Sequence, residues 1–360
     1  MSSTTRAMLW DRLAKASLVE GALPEAGEAA SPWFIRVMLG FAGWLGALFL
    51  LGFVGAAFVA IFRDASSMLV LGGLACAAAV AIYRVAPKSD FMAQFGLAVS
   101  FAGQAMILVG LADVFKRFNP TQFAVCFMLL EAVLFVLVPN YLHRVLSALG
   151  AALAAVWLII DAGLFAFAPA AITAAFLVLW LVEFKFERHG PLLRAGGYGL
   201  AIAAVLTSVL HGGLWLGWLV SRGHGQPAGG EAVQWLGHAA SVLVLVGAVI
   251  ALLRREGLEL GSGQGRVGLC AALILGLASL KAPGVAPAAA ILVVGYANGN
   301  RVLAGLGIAA LLGYLSHYYY SMQTTLLFKS ALLAATGLAL LGARLVMHRW
   351  WPEAKETSHA

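Results

Sequence analysis

From Phe34 almost to the C-terminus, apolar runs of about 18 or more residues follow one another, separated only by short polar connections. Each is long enough to cross a hydrocarbon core ~30 Å thick. Lipid cannot hydrogen-bond an exposed backbone, so such segments must form helices or close into a barrel. Apolarity that is continuous, not alternating, excludes the barrel. The expected fold class is all-α, a polytopic transmembrane helix bundle. Composition agrees, with 62% hydrophobic and only 11% charged residues, against about 25% charged in soluble domains.

Twelve spans are expected, at roughly 34–61, 66–83, 91–114, 121–138, 143–160, 163–182, 192–218, 235–253, 266–280, 284–298, 302–316 and 322–346. The fifth and sixth are divided only by Asp161 and Pro169, so a count of ten or eleven stays open. Before the spans, residues 1–33 read as a cytoplasmic N-terminal segment. In it Leu9, Leu13 and Leu18 follow helical spacing as a short amphipathic helix resting on the membrane surface. The segment has no apolar stretch ahead of Trp33 of the kind a secretory signal needs. Residues 34–346 form the transmembrane domain and 347–360 a cytoplasmic tail.

Charge orients these spans, because loops left in the cytoplasm carry the excess lysine and arginine. With the N-terminus inside and twelve spans, 17 of the 23 lysines and arginines fall in inner segments and five in outer ones. A wrong number of spans would mix the two sets of loops. Both termini are therefore expected in the cytoplasm. The formal charge of +7 is accounted for in this way, and no basic patch interleaved with aromatics points to nucleic acid. Cys76, Cys126 and Cys270 all lie in apolar runs and form no C-x-x-C pair, so neither a disulfide framework nor a thiolate metal site is expected.

One cation does not sit in a loop. In "HYYYSMQTTLLFKSALL" (His317 to Leu333), Lys329 is embedded in the last span. At 1.5 Å per residue it lies about 10 to 12 Å below the outer face, beneath Tyr318, Tyr319 and Tyr320, which are expected interfacial anchors. Its stem could carry the charge back to the headgroups. Full insertion costs ~3 kcal/mol and calls for a partner. Glu131, about 15 Å deep in span four by the same rise, is the first choice. Asp161 and Asp113 end spans nearer the surface, and Gln104 falls near mid-membrane. The outer third also collects His211, His238, His317 and Lys281, which suggests a polar cavity open to the outside. The alternative is that these are ordinary wet interfacial residues. Ser330, Thr324 and Thr325 are expected to bond to carbonyls of their own helix. The 41 glycines, among them Gly40, Gly43, Gly46 and Gly52, indicate close helix packing.

"RVLSALGAA" (Arg144 to Ala152) and "RVLAGLGIA" (Arg301 to Ala309) agree at six of nine positions, six spans apart. Two parallel six-helix halves would give that spacing, as would chance. No H-E-x-x-H, G-x-S-x-G or Walker-type phosphate loop is present. "GSGQGRVG" (Gly261 to Gly268) reads as a cytoplasmic turn without the strand a dinucleotide fingerprint needs. No catalytic, cofactor-binding or metal residue is expected.

"GYANGNRVLAGLGIAALLGYLSHYYYSMQTTLLFKSALLAATGLALLGARL" (Gly295 to Leu345) closely resembles the C-terminal signature of the bacterial membrane family catalogued as domain of unknown function 4401. Its elements are a G-N-R-x-L-x-G-L-G helix beginning at Gly299, then Tyr318 to Tyr320, Thr325 to Leu327, Lys329 and Ser330, with Met322 where the family tends to have leucine. "PWFIRVMLGFAGWLGALFLLGFVG" (Pro32 to Gly55) looks like its opening. The resemblance implies a multi-pass inner-membrane protein without assigned activity. It also implies a companion, a smaller membrane protein with a G-D-Y-x-x-L-x-Y motif. Three functions remain in view: a non-enzymatic membrane partner or assembly component with an outward-facing polar cavity, a transporter or lipid-moving protein using the Lys329 and Glu131 pair, and an enzyme acting on a lipid-linked sugar.

Overall fold

The computed structural model describes residues 3–16, 33–57, 64–116, 119–183, 190–211, 230–280 and 284–321, together with scattered single positions, among them 325, 327 and 330. Every regular element among the described residues is helical: α1 (Ser3–Lys15), α2 (Trp33–Ala57), α3 (Ala65–Val85), α4 (Asp90–Val114), α5 (Pro120–Leu137), α6 (Tyr141–Asp161), α7 (Ala168–Val182), α8 (Gly190–His211), α9 (Gly230–Arg255), α10 (Gly263–Ser279), α11 (Val285–Ala297) and α12 (Arg301–Ser321). Eight of these are long and apolar enough to cross a membrane, counting α7 with the 3₁₀ turn Phe165–Phe167 before it. Parts of α2, together with α10 and α11, are shorter apolar segments. The eleven helices from α2 to α12 follow the first eleven expected spans. Most of the twelfth expected span, Lys329 included, lies outside the described residues.

Local chemistry explains the boundaries. The Asn119 side chain accepts from Gln122 N at 2.8 Å while the Gln122 side chain accepts from Asn119 N, a reciprocal cap completed by Pro120 in the first turn of α5. Asn140 caps α6 through His143 N, and Asn300 caps α12 through Leu303 N. The weak division between spans five and six is a true break, at a left-handed Gly163 with φ 75° followed by the 3₁₀ turn. Only the first two residues of "GSGQGRVG" precede the helix: Ser262 caps α10 on Gly265 N, and Gly263 onward already belongs to it. The two matching nine-residue stretches start at different places, Arg144 at the fourth residue of α6 and Arg301 at the first of α12.

The chain divides into two compact units, residues 1–110 and 111–360. In the first, α1 carries an Asp11–Lys15 pair at 2.8 Å, and the carboxylate holds the Lys15 ammonium above its usual range. Leu9 is exposed and Leu18 lies outside the described residues. Helices α2 and α4 meet where Gly40 and Gly43 face Gln94, whose side chain accepts from Trp44 Nε1 at 3.1 Å. Gly52 faces open space, so its expected role in packing is not seen in this unit. Gly72 of α3 and Gly103 of α4 form a close reciprocal crossing.

In the second unit α5 and α6, α7 and α8, α9 and α10, and α11 and α12 pair antiparallel. Thr121 meets Asp161 at one end of the α5–α6 hairpin and Phe135 meets Arg144 near the other. Helices α7 and α8 are joined by the Glu183–Arg194 ion pair, and Gly307 of α12 packs on Leu292 of α11. Tyr198 and Tyr314 of the same unit tie α8 to α12, through Asn300 at 2.9 Å and the Val205 carbonyl at 2.7 Å. The core between α6, α7, α8, α9, α11 and α12 is solid. Phe176, Leu245, Ile291 and Leu303 are at most 1% exposed and are packed among alanines. By this topology Arg144, Arg194, Arg254, Arg255, Arg266 and Arg301 gather at one end of the unit.

Candidate functional site

Glu131 lies inside the α5–α6 hairpin. It is the twelfth residue of α5, six residues, or about 9 Å, short of the end at Leu137, and it is 3% exposed. Space for it comes from Gly150 on α6, where a Cβ would come within 3.1 Å of Glu131 Oε1. Ser147, 1% exposed, lies three residues before Gly150 on α6. One turn nearer the hairpin turn, Ser147 Oγ lies 3.2 Å from Nδ1 of His143, which is fully buried. Among the described residues Glu131 Oε2 has no hydrogen-bond partner. A buried acid, a buried hydroxyl and a buried imidazole thus occur within one helical hairpin.

The sequence singled out Glu131 but neither Ser147 nor His143. A signal was available: 131 and 147 lie equally far from the hairpin turn, and His143 and Ser147, four apart, share a face of α6. The expected pairing of Glu131 with Lys329 falls outside the described residues. Around Glu131 the polar groups continue toward the arginine-bearing end of the unit, not toward the expected outer histidines.

The other candidates separate. Asp161 is a clasp, accepting from the Thr121 hydroxyl at 2.7 Å and closing the hairpin's open end. Asp161→Ala should lower thermal stability by about 1 kcal/mol. An equal loss in Thr121→Ala and no further loss in the double variant would identify this bond as the source, as read from melting of the purified protein. Asp113 is exposed in the last turn of α4. Gln104, 4% exposed, donates to Ser100 Oγ at 3.2 Å within α4. His238 is half-buried with its ring edge-on to Trp235 at 6.2 Å, and His317 is half-buried near the end of α12. His211 is the last residue of α8, and its side chain lies outside the described set. Tyr319 and Tyr320 are T-shaped at 5.4 Å, and Tyr320 is 79% exposed. Ser330 bonds to the Leu327 carbonyl at 2.9 Å, as expected for a hydroxyl within a helix in lipid. No group of three histidine, cysteine or acidic side chains that could hold a metal occurs among the described residues.

A cleft of about 270 Å³ opens on the flank of the second unit. Ala132, Ala148, Ala151, Ala152 and Gly196 line it together with Phe135, Leu179, Leu192, Leu193 and Leu200, and Ser147 is its one polar side chain. It is an apolar recess with a single hydroxyl.

No curated protein and no solved structure matches the chain. A family model described as "Domain of unknown function (DUF4401)" matches residues 32–350, nearly the whole chain. The chain belongs to that family and is a membrane protein built of several apolar helices.

Proposed function

We propose that the chain is a non-enzymatic partner protein of a bacterial inner membrane, which receives an apolar transmembrane helix of a companion protein in the cleft between α5, α6, α7 and α8. The cleft carries this reading. Lipid tails are as apolar as leucine, so helices associate in a bilayer by close packing, and small residues at the contact let backbones approach. The cleft wall supplies Ala148, Ala151, Ala152 and Gly196 for that approach, with Phe135 and leucines as rims. The solid core of the same unit favours a protein that binds from the side over one that passes solutes through its centre. The companion with the G-D-Y-x-x-L-x-Y motif is the first occupant to test. With twelve spans and the arginine-bearing end toward the cytoplasm, both termini face inward.

A photocrosslinking residue at Ala151 should give one discrete adduct with a small membrane protein in native membranes. The same residue at Leu277, a 64% exposed position of α10, should give none. Filling the recess with Ala151→Phe should release the partner on purification. Adducts to lipid alone at 151, from a protein that remains folded, would overturn the reading.

A further inference from the structure

The turn between α11 and α12 holds polar groups that the packing of the unit does not use. Arg255, the last residue of α9, donates from Nη2 to the Ala297 carbonyl at 3.3 Å and so fastens α9 to the end of α11. The turn is tight: Asn300 N donates to the Gly295 carbonyl at 2.8 Å, and Gly299 takes φ 62°. Arg301 follows at once as the first residue of α12, exposed and bonded to nothing among the described residues. Two guanidinium groups are thus carried by the two sides of one turn. Between them the Asn298 amide has its nitrogen and its oxygen both buried and without a partner among the described residues. Buried polar groups are nearly always bonded, so this one calls for a partner. Asn298 is half-buried as a residue, and an amide that holds no bond breaks none in turning outward.

The outer face of α12 says what kind of anion fits. Its exposed positions include Arg301, Gly305, Ile308, Leu312 and Leu315, and their spacing of four, three, four and three puts them on one helix face. Ile308, Leu312 and Leu315 are 48%, 61% and 52% exposed. Arg301 therefore heads an apolar stripe about 21 Å long, longer than the ~15 Å of one leaflet of hydrocarbon. A soluble phosphate could use only the arginines, whereas a lipid uses the stripe as well.

We propose that the corner of α9, α11 and α12 binds an anionic phospholipid, with the phosphate between Arg255 and Arg301, the Asn298 amide turned to the headgroup and an acyl chain along the stripe of α12. Basic pockets between helices hold anionic headgroups by charge and hydrogen bonds together. The acids of this corner do not cancel it. Glu256, 59% exposed, lies 3.8 Å from Arg255 Nη2, and an ion pair that long and that wet contributes little. Glu259 is exposed in the connection between α9 and α10, and the exposed Arg254 and Arg266 flank that connection. The cleft lies on α5 to α8, so this site goes beyond the partner reading and is tested without a companion.

The test is native mass spectrometry of the full chain in detergent micelles, titrated with phosphatidylglycerol or phosphatidylcholine. The two lipids share a phosphodiester and acyl chains, and the choline cation distinguishes them. The first phosphatidylglycerol should bind several-fold more tightly than the first phosphatidylcholine. Arg301→Gln should weaken it about fivefold, the effect of one arginine near a headgroup, and Asn298→Ala should weaken it as well. Arg84→Gln, which removes an exposed arginine of α3 in the first unit, should leave it unchanged. Arg301→Gln breaks no described contact, so its helical circular dichroism should match the parent. Equal affinity of the parent for the two lipids would overturn the proposal, as would a loss in Arg301→Gln no larger than in Arg84→Gln. Parent affinity in Asn298→Ala would remove the amide from the site. Inorganic phosphate at the same concentration should leave the lipid bound, and release of the lipid would assign the arginines to a soluble phosphate instead.

Discussion

Gly72→Leu is expected to separate α3 from α4 and to cost the first unit about 3 kcal/mol, at the upper end of what overpacking usually costs. The reason is reciprocal contact between backbones. A Cβ at Gly72 would come within 2.7 Å of the Gly103 carbonyl oxygen and 2.9 Å of Ile107 N. A Cβ at Gly103 would come within 2.7 Å of the Gly72 carbonyl oxygen and 2.8 Å of Cys76 Sγ. Backbone atoms in a helix cannot swing aside as the end of a leucine can, so the helices themselves must part. Parting them also breaks the long contact of Cys76 Sγ with the Ser100 carbonyl, 3.8 Å. Because lipid is as apolar as the interface, nothing but packing and such polar contacts drives these helices together. Gly73→Leu is the control, since a Cβ there meets nothing within 4 Å. Unfolding in mixed micelles should show a large loss for residue 72 and less than about 0.5 kcal/mol for residue 73. Equal losses at the two positions would show that the close crossing is not what holds the pair.

The second large effect is expected at the basic end of the second unit. Glu183 closes α7 and is 6% exposed, while its partner Arg194 on α8 is 60% exposed. A carboxylate at a helix C-terminus meets the negative end of the helix dipole, so Arg194 is what makes Glu183 tolerable there. Arg194→Met leaves a buried acid without a counter-ion. Breaking a fully buried pair costs 3–5 kcal/mol. The exposure of Arg194 lets water screen the interaction, which brings the expected loss to about 2 kcal/mol. Glu183→Gln in the Arg194→Met background should recover most of it, because the uncompensated charge is gone. A double-mutant cycle by chemical unfolding measures the coupling. Additive losses would mean that the two side chains stabilise the α7–α8 hairpin separately.

The placement of these effects could not be foreseen equally well. Gly40 and Gly43 were named as packing positions and do pack, on Gln94, but Gly52 belongs to the same pattern and meets nothing in its unit. Spacing in a sequence identifies which residues share a helix face. It does not say whether that face meets another helix or lipid. The same holds for the acids. Asp161 and Glu131 both read as ionisable groups in apolar surroundings, yet one closes the end of a hairpin with a threonine and the other is sealed within it beside a serine.

The sequence alone determined that this chain is a set of apolar helices, because the cost of an unbonded backbone in hydrocarbon leaves no other use for so many long apolar runs. Several helix starts are likewise local, since capping by Asn119, Asn140 and Ser262 involves residues three apart. Only the tertiary structure decided what surrounds Glu131. Ser147, Gly150 and His143 become its neighbours through the register in which α6 folds back on α5, and that register is set by side chains packing across two helices, not by any stretch of one.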